Sequence, residues 1–235
     1  YSLGSADLQS WADVGNLLMA GRNPYALTDR LNWPPFWMQI VYVLSRFSIV
    51  TGINFGSLVK LFLTLVECVL VVAMYLAAKR LLGVNRPLPI LILAICANPV
   101  ALFLVMQHCN FDVLIGLWIL LFYWSTARFA ESGKEHHWLL ASLFLGLAIW
   151  TKTVPLCLLP ITLFGIRGIP RSTLIVGFFL IFSPVTIATS VIYVLAPSAV
   201  AENVFLYRSA PGCFGISGIL HSLDQQGLAD LAKTL

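Results

Sequence analysis

Long apolar stretches separated by short polar loops dominate this chain. The stretches cover residues 35–51, 56–78, 87–106, 113–129, 138–166 and 173–195. A helix that crosses a bilayer needs roughly 17–25 predominantly apolar residues, and all of these stretches reach that range. The pattern therefore predicts an all-α, polytopic bundle of membrane-embedded helices.

Polar and proline residues interrupt some of these stretches. Lys152, Pro155 and Pro160 divide 138–166 into two short halves, which predicts a broken helical hairpin. Pro184 predicts a kink in 173–195, and the Asn98-Pro99 pair predicts another in 87–106.

The first part of the chain follows a different pattern. Residues 6–20 have helical periodicity, with apolar positions on one face, and the apolar stripe is too short to span a membrane. This pattern is typical of a helix that lies in the membrane interface. Gly21 ends the helix, a turn-rich loop follows, and Trp33 and Trp37 are expected in an aromatic belt at the headgroup level.

Composition and charge exclude several classes of protein. The chain has 235 residues, 59% of them hydrophobic and 10% charged, with a mean hydropathy of +0.89. A soluble domain has about 45–50% apolar and about 25% charged residues, so a cytosolic enzyme and a disordered regulator are excluded. The net charge of +4 is scattered, which excludes a nucleic-acid partner. Membrane lipids are the expected surroundings.

The ends of the chain and its cysteines add two expectations. The chain starts at Tyr1 rather than Met and stops just after a polar stretch, so we expect a fragment of a longer protein. The five cysteines have no metal-binding spacing, and His108 and His221 are lone histidines in polar loops. We therefore expect no cofactor and assign no metal ligands, while a divalent metal stays possible.

Basic loops predict the orientation of the bundle. Residues 79–86, 128–137 and 167–171 carry most of the Lys and Arg, which favours the cytoplasmic side. The outer side then receives residues 1–34, 107–112 and 196–235, while 35–51 lies at or dips into the outer face. Residues 1–235 thus form one transmembrane domain, with outer juxtamembrane helices in 1–55, transmembrane helices in 56–195 and an outer loop in 196–235.

A few ionisable residues stand out, because a charge inside the hydrocarbon costs at least ~2.5–3.5 kcal/mol. Lys152 either snorkels to an interface or faces a lipid phosphate. Glu67 is expected to pair with Lys60, seven residues earlier on the same helical face, or to hydrogen-bond within the bundle. Asp7 and Asp112 lie at outer boundaries between loop and helix, where capping alone explains an Asp as well as catalysis does.

Several loops of the chain contain distinctive motifs. The motifs are Ser5-Ala6-Asp7-Leu8, Gly21-Arg22-Asn23-Pro24-Tyr25, Asn32-Trp33-Pro34-Pro35-Phe36-Trp37, Asn98-Pro99 through Gln107, Asn110-Phe111-Asp112, Gly146-Leu147-Ala148 through Thr151-Lys152, and Tyr207-Arg208-Ser209 with Gly212 to Gly215-Ile216. Together they resemble GT-C-fold glycosyltransferases, and most closely the polyprenyl-phosphate-mannose-dependent mannosyltransferases of glycosyltransferase family 87. They cover most of the chain in the family's order. Trp33 stands where the family has Tyr, and Cys109 stands where a Gly-like residue is usual.

The resemblance implies an enzyme of the plasma (inner) membrane whose active site is extracytoplasmic. It would move a hexose, most simply mannose, from a polyprenyl-phosphate sugar donor to a hydroxyl of a glycan or lipid acceptor. Asp7 is the candidate base, and Asp112 would orient the acceptor, the base or a metal. The candidate substrate-binding residues are Lys152, Arg208, Tyr207, Tyr25, Gln107 and His108.

Two other classes stay open. The broken segment with its intramembrane Lys152 also favours a secondary transporter, since transporters place their sites at discontinuous helices. A non-catalytic assembly subunit would leave Asp7 and Asp112 as helix caps. Cys109 and Cys213 both fall on the predicted outer side, so a disulfide between them is possible.

Overall fold

The structure is a computed structural model that describes residues 6–27, 31, 33–81, 83, 109, 111–164, 169–195 and 197–205. These residues are helical almost throughout, and none of them lies in a β-strand. The prediction of an all-α chain is confirmed over this part. The predicted stretch 87–106 and the loop beyond residue 205 lie outside the described residues.

The helices follow the predicted elements closely. They are α1 (Ala6–Met19), α2 (Pro24–Leu27), α3 (Pro35–Thr51), α4 (Phe55–Leu81), α5 (Asp112–Ser132), α6 (Glu135–Thr151), a 3-10 helix (Val154–Leu158), α7 (Leu159–Phe164), α8 (Arg171–Leu195), α9 (Pro197–Val200) and a π-helical turn (Ala201–Phe205). Gly133, at φ 65°, ends α5 in the left-handed conformation that glycine adopts most easily, and allows the tight turn into α6.

The predicted break at Lys152 coincides with the end of a helix. α6 ends at Thr151, and Lys152 is extended, with φ −154° and ψ 143°. A 3-10 helix with Pro155 near its start and the short α7 complete the segment. α8, by contrast, continues through Pro184. Proline cannot donate to the carbonyl of Leu180, and the hydroxyl of Ser183 donates to that oxygen instead, at 2.9 Å.

α6 and α8 pack in parallel at very short range. An ideal Cβ on Gly146 would lie 2.5 Å from the backbone oxygen of Ile181. The indole N–H of Trp150 donates to the same oxygen at 2.9 Å. About two to three turns nearer the starts of both helices, the hydroxyl of Thr173 donates to Glu135. Both helices therefore begin at one end of the bundle.

That end also carries the described residues of the basic loops, and we call it the basic end. Arg80, in the last turn of α4, lies 3.0 Å from Glu131 in the last turn of α5, and Arg128 lies 3.3 Å from the same carboxylate. α4 and α5 therefore both finish where α6 and α8 begin. The opposite end holds the start of α5 and the end of α6, and we call it the site end.

α3 meets the site end through its first turn. The ring of Trp37 stacks on Phe111 with centroids 4.6 Å apart, just before α5 begins. At its other end, α3 is joined to the start of α4 by only three residues. α4 finishes at the basic end, so its start lies away from that end. Both ends of α3 therefore lie towards the site end.

Two of the described helices are long and apolar enough to cross a membrane, Phe55–Arg80 and Asp112–Ser132. In the most apolar segment of each helix, only 22% and 33% of the residues are buried inside the structure. The core helix of a soluble protein, by contrast, is mostly buried. α4 exposes a stripe of large apolar side chains at helical spacing: Leu61, Leu65, Val69, Val72 and Leu76. These features favour membrane association.

Candidate functional site

An ion pair between two helix ends forms the centre of the candidate site. The Nζ atom of Lys152 lies 2.7 Å from Oδ1 of Asp112, although the residues are 40 positions apart in the chain. Asp112 is the first residue of α5, and Lys152 directly follows α6. The Lys152 and Asp112 side chains are 40% and 46% exposed, so the pair is open to solvent or to a ligand. An exposed pair contributes only about 0–1 kcal/mol, and a ligand can compete with it at little cost.

Aromatic rings lie directly beside this pair. Lys152 Nζ is 5.8 Å from the centroid of Phe111, within the range of a cation–π interaction. Phe111 also contacts Trp11 at 5.8 Å and Trp33 at 6.1 Å, besides the stacked ring of Trp37. We call these four residues the aromatic cluster.

The aromatic cluster corrects one prediction from the sequence. Trp37 is fully buried, so its side chain does not face a headgroup belt, whereas Trp33 is only partly buried and its place in the belt stays a prediction. Trp11, at 1% exposure, is buried with them. The cluster packs α1 and α3 against the start of α5 and holds the backbone at Phe111, next to Asp112.

Asp7 belongs to the same end of the bundle. Its exposed side chain lies in the first turn of α1, where a negative charge complements the helix dipole. Trp11 follows one helical turn later, on the same face, and contacts Phe111. The structure thus brings Asp7, Asp112 and Lys152 to the borders of one aromatic cluster.

Cys109 links these charges to the loop before α5. Its thiol is free and fully buried, and burial raises its pKa. The positive charge of Lys60 lowers this pKa and the negative charge of Asp7 raises it, so both charges act at the same loop. Cys109 has a φ of 56°, a conformation that favours glycine, at the very position where the resembled family has a Gly-like residue. Cys213 lies outside the described residues.

Tyr25 supports the loop between α1 and α3. Its buried hydroxyl donates to the carbonyl of Trp33 at 2.6 Å, and burial raises its pKa. Its N–H donates to the side chain of Asn23 at 3.0 Å, and its carbonyl accepts from Asn203 at 3.0 Å. This geometry favours a structural role, and a contact between Tyr25 and a sugar stays a prediction.

Four predicted substrate-binding residues lie outside the described residues: Gln107, His108, Tyr207 and Arg208. Lys60 and Glu67 are both described, and they form no ion pair with each other, because seven residues along one helix place their side chains too far apart. The described part of the chain also contains no group of three or more potential metal ligands.

Sequence reasoning missed Phe111 and Lys60 as parts of this site. Phe111 is the middle residue of the Asn110-Phe111-Asp112 motif, so its place beside Asp112 was the available signal. Nothing in the sequence connects Lys60 with Cys109, since only tertiary packing brings the charge of Lys60 close enough to affect the pKa of the Cys109 thiol.

Comparisons with known protein families, with curated proteins and with solved structures found no match to this chain.

Proposed function

We propose that this chain belongs to an integral membrane glycosyltransferase with a GT-C-like bundle, which acts on the extracytoplasmic face of the plasma membrane. It moves a hexose, most simply mannose, from a polyprenyl-phosphate donor to a hydroxyl of a glycan or lipid acceptor. The observation that carries this proposal is the Lys152–Asp112 ion pair, which borders the same aromatic cluster as Asp7 and lies at the end of the bundle opposite the basic end.

The orientation of the bundle supports an extracytoplasmic site. Basic residues near helix ends favour the cytoplasmic side, and here they gather at the end marked by Arg80 and Arg128. The Lys152–Asp112 pair then faces the opposite side. α3 has both ends towards the site end, which supports the prediction that it lies in or dips into that face.

The residues at the site end suit the chemistry of sugar transfer. The bond between the sugar carbon and the phosphate oxygen of the donor breaks, and a bond between the same carbon and the acceptor oxygen forms. Asp7 takes the proton of the acceptor hydroxyl, because a hydroxyl alone is a weak nucleophile. The lipid phosphate leaves with the negative charge, which Lys152 stabilises.

Asp112 has a positioning role in this scheme. It holds Lys152 Nζ at 2.7 Å. When the phosphate arrives, Lys152 can turn towards it at little cost because the exposed pair is weak. Asp112 can then accept a hydrogen bond from the acceptor or orient the base.

Donor kinetics test the role of Lys152. The intact natural protein is assayed in membranes with labelled polyprenyl-phosphate mannose, and Lys152→Gln is compared with Lys79→Gln, which removes the same charge from the last turn of α4. We expect Lys152→Gln to raise the KM for the donor by about 10-fold to 100-fold, since a hydrogen bond to a charged group contributes about 1.5–3 kcal/mol. Lys79→Gln should behave as wild type, and equal KM values in both variants would contradict the proposal.

A secondary transporter is the second candidate, favoured by one observation. α6 ends at Thr151, and Lys152 lies in extended backbone between two helical pieces, as at the discontinuous helices of transporters. Solute flux into vesicles, without any transfer of labelled sugar, would establish this alternative.

A further inference from the structure

A groove at the basic end has no part in the proposed transfer. It has a volume of about 380 Å³ and lies between α4, α5 and α6. Its walls are apolar, formed by Ala73, Leu76, Leu121 and Leu140, with Trp124 alongside. Its polar lining includes Arg128 and His137, which lie in the turns closest to the basic end.

The charge around this groove is positive. Basic side chains outnumber acidic ones among the described residues of this end: Lys79, Arg80, Arg128, Lys134 and Arg171 against Glu131 and Glu135. Arg80 and Arg128 share the single carboxylate of Glu131, at 3.0 and 3.3 Å. Two guanidinium groups on one carboxylate leave an excess positive charge beside the groove. The Arg128 side chain is 34% exposed and can reach a further anion.

We propose that this groove binds one anionic phospholipid of the cytoplasmic leaflet. The acyl chain lies against the apolar walls, and the headgroup phosphate lies against Arg128, whose planar fork suits a phosphate. Charge complementarity favours this lipid as the occupant. An apolar helix of a second copy would leave the excess positive charge without a partner. The inference rests on the membrane setting of the chain and not on its sugar-transfer activity.

Fluorescence quenching can test the site, because Trp124 lines the groove. The intact protein is placed in phosphatidylcholine nanodiscs that contain a minority of brominated phosphatidylglycerol or, in a parallel set, brominated phosphatidylcholine. The signal of Trp124 is the difference between wild type and Trp124→Phe. We expect the brominated anionic lipid to quench this signal at about one-fifth of the concentration that the neutral lipid needs. The reason is that one Lys or Arg near the membrane surface contributes ~1 kcal/mol to the binding of anionic lipid.

Three variants make the test specific. Arg128→Gln should abolish the preference for the anionic lipid, while Arg171→Gln, which removes an exposed charge outside the groove lining, should keep it. Ala73→Leu narrows the groove and should weaken quenching by both lipids. Circular dichroism and gel filtration check that each variant is folded.

Three results would overturn the inference. The first is equal quenching by the two lipids in wild type. The second is an equal loss of lipid preference in Arg128→Gln and Arg171→Gln. The third is loss of the preference when inorganic phosphate is added. The last result would assign the cationic rim to a free anion. Because no step of this assay depends on sugar transfer, its outcome is independent of the proposed enzyme activity.

Discussion

The contact between Gly146 and α8 offers a sharp test of the packing. In a Gly146→Ala variant, the new Cβ would lie 2.5 Å from the backbone oxygen of Ile181 and 2.9 Å from its Cα. This is about 1 Å inside ordinary van der Waals contact, and backbone atoms cannot swing away as a side-chain tip can. α6 and α8 would have to move apart, and the hydrogen bond from Trp150 to the Ile181 oxygen would lengthen.

The expected cost follows from these contacts. Overpacking costs about 1–3 kcal/mol, and the weakened hydrogen bond adds about 0.5–1.5 kcal/mol. Alanine recovers about 1 kcal/mol through its higher helix propensity. We therefore expect Gly146→Ala to lower the free energy of unfolding by roughly 0.5–3.5 kcal/mol.

Reversible unfolding in mixed micelles, followed by circular dichroism, measures this quantity. Gly116→Ala is the matched control, since it is also inside a helix but its Cβ would meet only Leu70 at 3.7 Å. We expect this control to be stabilised by about 0.5–1 kcal/mol. A Gly146→Ala variant that is as stable as Gly116→Ala would refute the close packing of α6 and α8.

Further predictions concern the loops around the site. Tyr25→Phe should lower the unfolding free energy by about 1–3 kcal/mol, measured in the same way, because the carbonyl of Trp33 loses its donor in a buried place. Cys109→Gly should be more stable than Cys109→Ala by about 1 kcal/mol, since glycine tolerates the positive φ and alanine does not. Burial raises the pKa of the Cys109 thiol above its value in the unfolded chain, so its contribution to stability is present below the unfolded pKa and declines as the pH rises above it. A pH series of unfolding should show this alkaline decline in wild type and a smaller one in Cys109→Ala. Asp112→Asn should change stability by less than about 1 kcal/mol, because its ion pair with Lys152 is exposed.

Much of the helical framework could be predicted from the sequence because apolar periodicity and breakers act locally. The stretch 35–51 coincides with α3, and 113–129 lies inside α5, whose end is set by Gly133. The break at Lys152 was also predictable, since two prolines follow it within a few residues.

The contacts of the site were harder to predict because they are not local. Lys152 and Asp112 were each singled out as polar residues that need a reason, but their pairing depends on the tight turn between α5 and α6 and on the length of both helices. Trp37 is a residue type that suits a membrane interface, yet its side chain stacks on Phe111 and is buried. Amphipathic aromatic side chains suit both places, and only tertiary packing decides between them.

The transfer rate of an Asp7→Asn variant tests the central claim most directly. The intact natural protein in membranes receives labelled polyprenyl-phosphate mannose, and Asp13→Asn serves as control, since Asp13 lies on the same helix and accepts a hydrogen bond from Gln9 at 3.1 Å. The account predicts a fall in kcat of about 100-fold to 10,000-fold for Asp7→Asn, with expression unchanged and the control unaffected. Full transfer by Asp7→Asn at normal expression would contradict it.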